Sequence, residues 1–267
     1  STYALGDVLA ERYEVLDLVG SGPLGIVYKA LDQEIEVEVA LKVINSELLP
    51  TEDARLHFLS AMQCVRELSH PNTVRYLDVD RDGTRCFYVM QYLEGLTLRK
   101  ILNLRGSKGQ IFSLREVEPI FSQLCEGVGH SAGLVVHGGL KPENIIILPD
   151  LLKITDFGLP QALPIEAYVG AQRSDADAFP CLAPEVRDGR AFDAKADVYS
   201  IAALLVELLT GKPYEGGEVK LREIKEEIPE AFDLALTQAL SRDPNRRLPN
   251  TILLGHELKI AMLDRPV

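Results

Sequence analysis

The sequence predicts an α+β chain in two parts, a small β-rich one followed by a larger, mainly helical one, and three observations carry that reading. First, period-two alternation is confined to the N-terminal third. Tyr13 to Val19 and Ile35 to Val43 alternate, and Cys86 to Met90 is a short apolar run of the buried-strand type. Second, beyond about residue 95 the apolar positions recur at helical spacing, over Leu114 to Gly129, Ala196 to Thr210 and Ile228 to Ser241, with Gly or Pro at their bounds. Third, 267 residues, 46% hydrophobic and 25% charged, suffice for one large domain or two packed lobes, each with its own core. One helix, from about Thr51 to Leu68, falls inside the β-rich part and ends before His70-Pro71-Asn72. No repeat or low-complexity linker breaks the pattern.

Composition narrows the function classes. A formal charge of −12 and a pI near 5.0 argue against general binding to nucleic acid or anionic lipid, both of which need a basic surface. Cys64, Cys86, Cys125 and Cys181 are scattered without a C-x-x-C, which reads as reduced core thiols in a cytoplasmic setting rather than a disulfide framework or zinc site. No apolar run reaches membrane-spanning length, so no membrane contact is expected within this stretch. The start at Ser1, without an initiator Met, reads as a domain excised from a longer protein.

Six motifs then occur in order. Gly20-Ser21-Gly22-Pro23-Leu24-Gly25-Ile26-Val27 reads as G-x-G-x-x-G-x-V, and Val39-Ala40-Leu41-Lys42 as V-A-I-K on a strand. His137-Gly138-Gly139-Leu140-Lys141-Pro142-Glu143-Asn144 stands where H-R-D-L-x-x-x-N is expected. Asp156-Phe157-Gly158, Ala183-Pro184-Glu185 and Asp243-Pro244-Asn245-Arg246-Arg247 follow, with Asp197-Val198-Tyr199-Ser200 heading an apolar helix. Together they make the chain resemble the protein kinases, specifically a pseudokinase related to bacterial Hanks-type Ser/Thr kinases.

That resemblance implies a bilobal kinase-like fold. Residues 1–91 would form the N-lobe, 92–267 the C-lobe, and about 91–95 the hinge. ATP would be held by Gly20, Gly22, Gly25, Val27, Ala40, Lys42, Gln91, Leu93 and Ile146, with magnesium on Asn144 and Asp156. Val65, Tyr76, His137 and Phe157 would stack as a spine, Glu185 would pair with Arg247, and Asp197 would brace the catalytic loop.

The departures from the family pattern decide the functional expectation. Gly139 replaces the aspartate that accepts the substrate proton, and Gly138 the preceding arginine. Counting back from His70 by the family's spacing places Ala61, and no acid, at the helix position that pairs with the strand lysine. Glu67 lies about 9 Å further along the helix axis, and Glu38 about 13 Å from Lys42 along its strand. Ala178 replaces the threonine that would bond the catalytic aspartate. Tyr168 and Ser174, the only hydroxyl side chains between Gly158 and Ala183, read as exposed loop residues. Glu34, Glu36 and Glu38 read as one acidic strand face. The expectation is an inactive kinase-like scaffold or allosteric module for a protein partner, retaining ATP with magnesium. A weak phosphoryl-transfer enzyme with an unconventional base is the alternative, and a nucleotide-independent structural domain, with Lys42 and Asp156 paired in an empty cleft, a third class.

Overall fold

The structure is a computed structural model that describes residues 3–176 and 179–263. Its strands are β1 (Val8–Leu9), β2 (Tyr13–Gly22), β3 (Gly25–Asp32), β4 (Val37–Ile44), β5 (Tyr76–Asp82), β6 (Arg85–Gln91), β7 (Leu96–Thr97), β8 (Ile145–Ile147) and β9 (Leu152–Ile154). Its helices are α1 (Glu52–Val65), α2 (Leu98–Gly106), α3 (Leu114–Ser131), α4 (Leu159–Ala162), α5 (Ile165–Gln172), α6 (Pro184–Arg187), α7 (Ala194–Thr210), α8 (Leu221–Ile224), α9 (Glu230–Ala239) and α10 (Thr251–Leu263).

The described residues divide into two units. The first takes in residues 3–69, Val74–Glu94 and Gly158–Asp175, and the second His70–Thr73, Gly95–Phe157, Ala176 and residues 179–263. Two segments are assigned apart from their chain neighbours in this division. The stretch after Phe157 joins the first unit because α4 packs on α1, where His57 Nε2 lies 2.9 Å from the Gln161 carbonyl. His70–Thr73 joins the second because Asn72 receives the Ile154 N–H at 2.8 Å and donates from its amide to Gln123 and to the Leu152 carbonyl.

In the first unit an antiparallel six-stranded sheet runs β1-β2-β3-β4-β6-β5. One of its faces closes on a core of Leu9, Tyr13, Val15, Tyr28, Leu41 and Phe87, which alternation along β2, β3 and β4 delivers to one side. β4 begins at Val37 rather than Ile35, because residues 33–36 form the turn from β3 with Glu36 at φ 54°. The expected acidic strand face therefore does not form. Glu34 pairs with Arg12 at 3.0 Å and Glu38 with Lys29 at 2.9 Å. α1 starts where Thr51 accepts the Ala54 N–H. It stops at Val65, three residues short of the expected end, with Glu67 in the turn beyond.

The second unit is built around α7, in which every residue from Ala196 to Leu209 is buried. A helix apolar on all sides needs cover on all sides, and α3, α9 and α10 supply it. Asp193 caps its start, and Gly211, at φ 75°, ends it in the left-handed conformation glycine tolerates. α3 opens with a full capping box between Ser113 and Glu116. Of the four thiols, Cys86, Cys125 and Cys181 are core residues, whereas Cys64 is exposed on α1, which corrects the expectation for that one.

Candidate functional site

The β3, β4 and β6 registers pair Val27 with Lys42, Lys29 with Ala40, Ala40 with Met90 and Lys42 with Tyr88. Directly opposed residues share a face, so Val27, Ala40 and Lys42 stand together on the side opposite Leu41 and Tyr28. Lys42 is 9% exposed, and an ammonium withdrawn that far from water depends on anionic or polar company. At the end of β6, Gln91 exchanges two bonds with Arg75: its N–H donates to the Arg75 carbonyl, and its side-chain oxygen accepts the Arg75 N–H at 2.9 Å. Leu93 follows, half-buried.

The glycine-rich segment is less of a loop than its motif suggests. β2 continues through Gly22, and the ladder closes with Gly20 opposite Val27 and Gly22 opposite Gly25, leaving only Pro23 and Leu24 as the turn. The turn is tied down: Leu24 is buried, and Asn45 donates to the Leu24 carbonyl from its backbone at 3.0 Å and to the Pro23 carbonyl from its amide at 2.9 Å. Gly25 is obligatory, because a Cβ there would sit 2.1 Å from the Val43 carbonyl oxygen. Gly20 and Gly22 have open space where a side chain would be, as a backbone that approaches a ligand requires.

Ala61 lies on α1 beside the buried face formed by Phe58, Met62 and Val65. The acids in the first turn of α1 are Glu52 and Asp53, and Glu52 is engaged by Arg55 and Arg81. Glu67 is past the helix end and exposed. Tyr168 is not a loop residue: it sits in α5 and is 2% exposed, so its hydroxyl is withdrawn from solvent. Ser174 is exposed just beyond α5, with its hydroxyl donating to the Ala171 carbonyl at 2.6 Å. Ala178 lies outside the described residues.

In the second unit the catalytic-loop segment keeps its frame without its base. Asp197, fully buried, accepts the N–H of His137 at 3.0 Å and of Gly138 at 2.8 Å. Burial raises its pKa to about 7, against the pull of those two donors. Gly138 adopts φ 71°, and the Gly139 N–H donates to His137 Nδ1 at 3.3 Å. His137 Nε2 reaches the Thr155 carbonyl, and its ring lies 4.7 Å from that of Phe157. Val65 and Tyr76, the other two expected spine residues, are buried in the first unit. Glu185 and Arg247 form the expected pair, bidentate at 2.7 and 2.9 Å and buried on both sides.

The β8–β9 ladder brings Asn144 and Asp156 together. Ile145 opposes Ile154, and the Thr155 N–H donates to the Asn144 carbonyl. The Asn144 amide nitrogen is then 2.7 Å from Asp156 Oδ2. Asp156 holds φ 69°, a conformation that a non-glycine residue keeps only where its surroundings enforce it. Asn144 Oδ1 is buried without a hydrogen-bond partner among the described residues, which leaves an oxygen acceptor beside a carboxylate. That donor set fits a hard cation such as magnesium, which takes one or two protein oxygens and completes its shell with water and phosphate. Ile146, on β8, is half-buried and opposes Thr97 and Lys153.

Two features escaped the sequence reading. Lys141 is 6% exposed in the same segment, and its carbonyl accepts the Asn144 N–H. The Lys-Pro-Glu-Asn string displayed it in full. Arg99 bridges Glu143, at 2.5 Å, and Glu207, with both Glu207 oxygens engaged. Burial works against the Arg99 charge, but the two carboxylates outweigh it and hold the guanidinium above its ordinary pKa. Positions 99 and 207 are too far apart in sequence for any local signal to join them.

A sequence profile described as the protein kinase domain matches residues 13–259. The serine/threonine-protein kinase PknL of Mycobacterium tuberculosis is 32% identical over 94% of this chain and 66% of its own length. A probable serine/threonine-protein kinase of Clostridium acetobutylicum is 28% identical over 95% of this chain and 40% of its own. PrkC of Bacillus subtilis is 27% identical over 96% and 41%. The chain thus spans between about two fifths and 66% of these relatives. The crystal structure of the M. tuberculosis PknI kinase domain superposes with a TM-score of 0.80 at 19% identity, covering 97% of this chain and 99% of that one. At that identity the likeness concerns the fold, which is the kinase fold of a β-rich lobe and a helical lobe.

Proposed function

This chain belongs to the protein kinase family, and we propose that within it the domain is catalytically inactive and works as a signalling scaffold or allosteric protein-binding module. The observation that carries this reading is Gly139. Its neighbours keep their places: His137 and Gly138 hang on Asp197, and Asn144 meets Asp156, yet position 139 presents no carboxylate to take a proton. Loss of a general base alone costs roughly two to four orders of magnitude in rate. Ala61, where the family's helix glutamate would position Lys42, adds a further deficit that does not simply multiply with the first.

The nucleotide side of the site supports retained ATP binding. Lys42, with Val27 and Ala40 on its face, would contact phosphate and adenine, and Asn144 and Asp156 would hold magnesium, whose chemistry is to neutralise phosphate charge. The domain would act inside the cell, in the cytoplasm, through protein partners.

The test is incubation of the purified domain with radiolabelled ATP and generic protein substrates. No transfer above background is expected, and Gly139→Asp alone is expected not to restore it. Stoichiometric autophosphorylation that disappears in Asp156→Asn would sink the inactive reading. It would favour the alternative, a weak kinase with an unconventional base.

A further inference from the structure

We propose that the cavity between the end of α1 and the start of β5 docks an acidic segment of a protein partner, with Arg75 and Arg66 gripping an Asp or Glu carboxylate. This deepens the protein-binding reading above and rests on it. The cavity, of about 310 Å³, is lined by Gln63, Arg66, Glu67, Arg75, Tyr76 and Leu77, all within the first unit. That volume lies at the small end of the range for ligand sites, about 300 to 1,000 Å³. It suits a side chain or two rather than a cofactor.

Arg75 carries the argument. Its backbone is clamped to Gln91 by two hydrogen bonds, so the root of the side chain is held in place. Its guanidinium is exposed and makes no ion pair within 4 Å among the described residues. Other arginines of the same unit are matched: Arg12 with Asp32 and Glu34, and Arg55 and Arg81 with Glu52.

Arg66 adds a second guanidinium. It caps α1 and donates to the Gln63 side-chain oxygen at 2.9 Å, which leaves the Gln63 NH2 as a further donor at the cavity wall. Its one acid, Asp78, stands 3.7 Å away and is shared with Arg12 and the Tyr13 hydroxyl. Guanidinium groups bind carboxylates through two parallel N–H bonds, a geometry lysine cannot offer. Glu67 on the wall opposes an anion and sets the sign of one test below.

The charge of −12 repels long polyanions. A short acidic segment senses mainly what lies within a Debye length, about 10 Å at 0.1 M salt. At the cavity that is two arginines against Glu67, with Asp78 beside Arg66 already shared with Arg12 and the Tyr13 hydroxyl. Because the wall includes the end of α1, the helix that carries Ala61, an occupant would brace that helix from outside the reaction centre.

The experiment is a titration of isotopically labelled domain with hexaglutamate, and separately with inorganic phosphate, read by backbone amide shifts at residues 63–67 and 75–77. Saturable shifts with hexaglutamate that weaken as salt rises are expected. Arg75→Gln should weaken binding about tenfold or more, the usual scale for a lost charged hydrogen bond, and Glu67→Gln should tighten it. Both positions are exposed, so both variants should fold, which their unperturbed spectra would verify. Absence of saturable hexaglutamate shifts, equal binding by Arg75→Gln, or binding of phosphate but not hexaglutamate would each overturn the proposal. The phosphotransfer assay on the same sample tests the inactive reading separately, so the failure of one is distinguishable from the failure of the other.

Discussion

Replacing Arg247 by methionine tests whether the helical unit is held as described. Arg247 donates twice to Glu185 at 2.7 and 2.9 Å, once to the Ser241 carbonyl at 2.8 Å and once to the Lys195 carbonyl at 2.9 Å. Its guanidinium also lies 5.1 Å from the Tyr199 ring centre. Methionine fills similar space but leaves the Glu185 carboxylate, 2% exposed, without its cation. Stranding one partner of a buried pair costs about 3 to 5 kcal/mol, a large share of the roughly 5 to 15 kcal/mol available to a folded protein. The chain has no tryptophan, so urea unfolding would be followed by circular dichroism, with the midpoint falling and the slope unchanged. A double variant, Glu185→Leu with Arg247→Met, should recover much of the loss, because an apolar replacement of both partners removes the uncompensated charge along with the pair. A single-variant cost below about 1 kcal/mol, or a double variant as unstable as the sum of its singles, would refute this account of the pair.

Three further outcomes are expected. Gly25→Ala should lower the melting temperature of the first unit, since its methyl would meet the Val43 carbonyl at 2.1 Å, whereas Gly22→Ala meets nothing within 4 Å and should be nearly silent; calorimetry of the two variants checks the contrast. Glu116 accepts from the Ser113 backbone and is held by Arg105 and the Ser113 hydroxyl, and its pKa is lowered to about 2. Its stabilising contribution is therefore complete above the ordinary glutamate range near 4.5 and is lost as pH falls toward 2. Glu116→Gln should flatten that part of the acid-unfolding curve. Finally, Mg-ATP at one hundred times its dissociation constant should stabilise the domain by about 2.7 kcal/mol, and Lys42→Met or Asp156→Asn should reduce the shift. No shift at millimolar nucleotide, confirmed by calorimetry, would leave the nucleotide-independent domain standing.

Much of the fold was legible because its signals are local. The alternation in β2 and β4 and the largely apolar run of α7 show in the sequence itself, although Leu16, Leu18 and Val19 of β2 stay exposed and Val39 to Ile44 of β4 are all buried, and capping residues such as Ser113, Asp193 and Gly211 mark helix ends within a few positions. The missing base was legible for the same reason: Gly139 has no side chain in any conformation. Element ends were less so. Ile35 and Glu36 continue the alternation of β4 yet lie in the turn before it, because alternation does not reveal where a ladder runs out of partners.

The tertiary structure decided what depends on residues distant in sequence. It buried Tyr168, whose surroundings in the sequence read as a loop, by folding it into α5 in the first unit. It joined Arg99 to Glu207 across 108 positions, and it matched Arg12 with Asp32 while leaving Arg75 beside Arg66 without an acid of its own. Sequence determines which charges a chain carries and which faces its elements can bury. Which charges are neutralised and which are left for a partner depends on Coulomb interactions between side chains that only folding brings within a few ångströms.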